Sequence, residues 1–192
     1  MNALIRRVIS IAPIPLLPGE LEAEYVTHLR RIVVAANPRD IIEEILTRDV
    51  IDLTWEILRL RRMKVGLLKA SMGSGIKKVM TSLGHDFVSG GDIGTRWTAG
   101  EKNAKNEVAA ALKKAELTME DVIAKTLEAK IDSFERFDRL LASSEARRNN
   151  ALREIERHRA ALGTAVRHAI DEVQDAEFRD VDTGEVGGIP PP

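Results

Sequence analysis

The sequence predicts an all-α protein, a helical bundle with two long helices, one of them extending as an antiparallel or intermolecular coiled coil. Three observations lead there. Two long stretches, 38–70 and 119–175, each contain a single glycine after their opening residues, and apolar side chains recur in them at spacings of three and four. Aromatic residues make up only 4% of the chain against 31% charged, a balance that suits helices packed through Leu, Ile and Ala better than a β-sandwich. Seven of the 13 glycines fall between Gly73 and Gly100, separating the two long stretches.

Residues 1–17 read as an extended apolar arm docking on a groove, extended at least from Ala12 onward, because Pro13, Pro15 and Pro18 fix φ, remove amide donors and stop helix from passing through. A short amphipathic helix follows on Leu21, Tyr25, Leu29, Ile32 and Val33, ending near Ala36. Asn37 before Pro38 is the pattern of a helix start, Asn capping and Pro occupying the first turn. Leu46, Val50, Leu53, Ile57, Leu60 and Leu67 then step by fours and threes, with Lys64 in an apolar place. Such a helix is a rod of roughly 50 Å.

The region 73–100 reads as a Gly-rich hinge holding a short helix from Ile76 to Leu83, closed by Gly84, with Trp97 anchoring its far end. Helix from Glu101 to Lys114 comes next. Thr118 with Asp121 three residues on forms a capping box and opens the longest predicted helix, 119–175. Its seam is apolar at both ends, from Leu127, Ile131 and Phe134 to Leu162, Val166 and Val173, and charged between, where Ser143, Ser144, Asn149 and Asn150 suggest a bend. Residues 179–192 read as a flexible tail, so that one helical domain spans 18–178.

With 29 basic and 30 acidic residues, the net charge of −1 supplies no global attraction to polyanions. A local one exists. Between Glu56 and Asp86 there is no acid, while Arg59, Arg61, Arg62, Lys64, Lys69, Lys77 and Lys78 line up as a nucleic-acid contact, though one that wraps the helix more than it stripes it. A second basic group around Arg147 to Arg159 is interleaved with Glu145, Glu154 and Glu156 and so is self-neutralised. Absence of cysteine excludes disulfides and thiolate chemistry and fits a reducing cytoplasm. The prolines break up the apolar N-terminus, which lacks a cleavage site, so export is not expected, and no run reaches the roughly 20 apolar residues of a membrane span.

No catalytic, cofactor or metal site is expected. The run from Gly73 to Lys78 lacks phosphate-loop spacing and a preceding strand, and Gly90, Gly91 and Gly94 fail the dinucleotide pattern. His28, His85, His158 and His168 have no i, i+4 partner among themselves, and none follows a Glu by three residues. His158 reads as a surface residue pairing with Glu154, and Glu43 and Glu44 as solvated charges.

Two stretches, LLPGELEAEYVTHL leading into NPRDIIEEILTRDVIDLTWEILRLRRMKVGLL, and LTMEDVIAKTLEAKIDSFERFDRLLASSEARRNNALREIERHRAAL, cover about half the chain. They resemble an uncharacterised, predominantly helical protein family of alphaproteobacteria, frequent in rhizobia and their relatives. The likeness rests on Leu17 to Glu20, Trp55 to Arg62 and Ala146 to His158. It implies a bacterial source and transfers no activity and no catalytic residue.

The functional expectation is a non-enzymatic scaffold or protein–protein interaction module. Its interaction seam is Leu141, Leu152, Ile155, Leu162 and Val166. An apolar strip of that length along a projecting helix calls for a partner, either a second copy in a homodimer or another helical protein. The alternative is a nucleic-acid-associated protein holding phosphates through residues 59–78.

Overall fold

A computed structural model describes residues 3–85 and 92–182, with side chains as far as Val173. Among these residues there are seven helices and no strand, in the order α1 (Ala3–Ser10), α2 (Glu22–Ala36), α3 (Ile41–Ser82), α4 (Ile93–Thr98), α5 (Lys102–Lys114), α6 (Met119–Glu128) and α7 (Ile131–Asp182). The all-α class is therefore as the sequence predicts. The chain divides into two compact units, Met1–Ile51 with Arg148–Pro192, and Asp52–Arg147. Helices α3 and α7 each contribute to both.

In the first unit the first half of the arm is helical, ahead of the proline-bearing part from Ala12 onward. Nothing forbids helix before Pro13, and Ile5 and Val8 lie on one face, both buried. Arg48 of α3, itself 1% exposed, ends that helix by donating to the carbonyls of Val8 (3.3 Å) and Ile9 (3.0 Å), and to Pro13 (2.9 Å) beyond it. A guanidinium is suited to the task, because the last carbonyls of a helix have no partner within it. Its carbon also sits 5.7 Å from the ring centre of Tyr25.

Gly19 takes φ +88° in the turn from Leu17 to Glu20, which the Glu20 amide closes on the Leu17 carbonyl at 3.0 Å. Asn37 does not start α3. It is the left-handed C-cap of α2 (φ 42°), its amide bonded to the Val33 carbonyl at 2.9 Å, a conformation that Asn tolerates better than most residues. The start of α3 is held by Asp40, whose carboxylate accepts from the Glu43 amide at 2.9 Å. Val50 packs with Ala151 and Ile155 of α7, and Ile32 and Leu46 border them.

The core of the second unit gathers Met72, Ile76, Val79 and Met80 of α3, Ile93 of α4, Val108 and Leu112 of α5 and Val122 of α6, with Trp97 packed against them. Here the expected hinge fails in its first part, since α3 runs unbroken through Gly73 and Gly75 to Ser82 and ends at Gly84 (φ +79°). Those glycines are there for contact rather than flexibility. A Cβ at Gly75 would strike Thr126 of α6, and one at Gly94 would strike the backbone carbonyl of Gly73. The later part of the expected hinge, 86–91, lies outside the described residues.

The capping box forms as read, Thr118 N–H donating to the Asp121 carboxylate at 2.7 Å and Thr118 Oγ1 accepting from the Glu120 amide at 3.2 Å. The helix it opens is short, however. A turn at Ala129 and Lys130, with the Lys130 amide on the Leu127 carbonyl at 2.9 Å, separates α6 from α7. Beyond it α7 is one continuous helix, with no interruption of the helix at 143–150. It reaches Asp182, into the segment read as a tail; the remainder of that segment lies outside the described residues.

Candidate interaction site

Arg61, Lys64 and Lys77 of the sequence-predicted basic cluster are answered by acids of their own unit. Arg61 pairs with Glu145 of α7 at 2.8 Å, and Lys64 with Asp138 at 2.5 Å, its ammonium also 5.6 Å from the ring centre of Phe134. Lys77 lies 4.0 Å from Asp92, and Arg62 stacks over Trp55 at 5.2 Å. These contacts, with Ser144 Oγ donating to Glu56 at 3.3 Å, run antiparallel along α3 and α7. Arg59 is half-buried, while Lys69 and Lys78 are exposed. A shallow groove of about 660 Å³ remains on α3, lined by Leu58, Arg61, Arg62, Val65, Gly66 and Lys69.

The first unit holds a second cluster that the sequence reading missed. Glu43 is fully buried, and Arg159 of α7 clamps it with two bonds of 3.0 and 2.8 Å while donating also to the Ala36 carbonyl at 2.7 Å. The Arg39 amide adds a third bond to Glu43 at 3.0 Å. The guanidinium beside it therefore holds the Glu43 carboxyl below the usual range against the opposing pull of burial. His158 pairs not with Glu154 but with Asp40, Nε2 to Oδ2 at 2.7 Å, and Glu154 pairs with Arg157 at 3.1 Å. Asp40 is also held low, first by the Glu43 amide and then by His158. Glu44, nearly buried, takes Arg7 of α1 at 2.8 Å.

Asp40, Glu43 and His158 offer three ligand atoms within 4.8 Å of one another. Charge argues against a cation there, because Glu43 is already matched by a guanidinium that a metal would have to displace. The cluster reads as a clasp from the start of α3 to α7 within the first unit. Arg159, read from the sequence as part of a self-neutralised basic group, lies between Ile155 and Leu162, and only the position of Glu43 across from it gives that charge a purpose.

The seam itself divides. Leu141 is half-buried and Ile155 is 7% exposed in the core, so Ile155 is no free interaction residue. Leu152 points away at 42% exposure, because Ala151 is the residue turned toward Val50. Past Arg159 every described residue of α7 is exposed, including Leu162 (46%), Val166 (52%), Ile170 (50%) and Val173 (60%). At 3.6 residues per turn these four fall on one face, in line with buried Ile155.

Fold and site together define an all-α protein built on two long helices, one of which offers an uncovered apolar face. The chain matches no protein-family model, no curated protein and no solved structure. Among the described residues no helix is long and apolar enough to cross a membrane.

Proposed function

We propose that the chain is a non-enzymatic helical interaction module of the bacterial cytoplasm, which presents the face of α7 from Leu162 to Val173 to another helix. The observation that carries this reading is the continuity of that face. Buried against Val50 at Ala151 and Ile155, the same stripe goes on for more than two turns without cover. Four large aliphatic residues in register are the pattern by which helices dock on helices. The clasp of Arg159 on Glu43 supports the reading too, since it fixes α7 at the point where the strip begins. The likeness to alphaproteobacterial proteins agrees with a cytoplasmic bacterial chain, as does the lack of cysteine.

The test is a photo-crosslinking residue at Val166 in cells that express the protein, with the same residue at Arg136, an exposed position of α7, as control. Covalent adducts formed from Val166 and not from Arg136 are expected. Equal or absent adducts from the two positions would sink the reading.

The competing reading, a nucleic-acid-associated protein, rests on the groove between Arg61, Arg62 and Lys69 together with exposed Lys78. The pairing of Arg61, Lys64 and Lys77 with acids leaves it less net charge than the sequence suggests. Anisotropy of labelled DNA and RNA decides it. Binding that falls steeply with salt and is lost on changing Arg62, Lys69 and Lys78 to Ala would move nucleic acid to first place.

A further inference from the structure

We draw no further inference here: the strongest candidate, the apolar face of α7 from Leu162 to Val173, is already the site of the proposed function, and nothing in the structure shows what covers it.

Discussion

Glu43 is the residue on which the first unit depends most. A buried carboxylate is tolerated only while its charge is matched, and Arg159 supplies the match in a two-bond geometry that Lys could not reproduce. Arg159→Ala is therefore expected to lower unfolding free energy by about 3 kcal/mol, the low end of the range for breaking a buried pair because Arg159 itself is a third exposed. Glu43→Gln, which keeps the shape, should cost less. Urea unfolding followed by circular dichroism compares them. The same clasp sets the response to acid. Asp40 and Glu43 are both held low in the folded chain, so the native state binds fewer protons than the unfolded one. Their stabilisation is complete above the ordinary carboxylate range of about 4 and is lost as pH falls through it toward the depressed native values. An Asp40→Asn, Glu43→Gln double variant should show a flatter loss of stability below about pH 4.5 in an acid titration. None of this is legible in the sequence. A charge inside an amphipathic helix reads as solvated, and neither Glu43, Glu44 nor Arg48 carries a mark of the α1 and α7 groups that cover it.

At the scale of elements, local signals were reliable where the cause is local. The Thr118 to Asp121 capping box and the helix end at Gly84 follow from side-chain donors and from φ, and they appear where the sequence puts them. Helix ends decided by tertiary contact were not visible. Gly73 and Gly75 look like a hinge, yet they sit inside α3 because Gly94 and Thr126 press against them. The break at Ala129 and Lys130 has no glycine or proline to announce it. Replacement of glycines separates the two cases. Gly66 lies in α3 with nothing within 4 Å of an added Cβ, so Gly66→Ala should stabilise by about 0.5–1 kcal/mol, the ordinary gain for a helix interior. Gly94→Ala drives a Cβ into the Gly73 carbonyl, backbone that cannot turn aside, and should cost about 3 kcal/mol or more or abolish the second unit's fold. Thermal melts of both variants, read by circular dichroism, test whether these glycines serve packing or flexibility.

For the molecule as a whole, the sequence predicted that a long apolar strip would need cover, and three of its five residues, Leu152, Leu162 and Val166, lie exposed on α7, with Ile170 and Val173 exposed beyond them. Length and spacing could not say where cover stops, because that depends on where α3 begins. The last residues of α7 held by the first unit are near Arg159, which bonds Glu43 and the Ala36 carbonyl. Beyond them, among the described side chains as far as Val173, the hydrogen bonds lie within the helix itself, with Gly163 in its interior and an exposed apolar face. Isolated helices of that kind are marginal in water. Association that covers the strip must therefore order residues 160–173 as it forms, and mass action makes that order depend on protein concentration. Amide exchange in this segment is expected to slow as concentration rises, while exchange in the α3 residues around Val50 stays constant. Val166→Asp, which places a charge where an aliphatic contact is needed, should abolish the concentration dependence without altering exchange around Val50. Exchange in 160–173 that is slow at every concentration would mean the segment is stable uncovered, and the argument for a second helix on this face would lose its energetic basis.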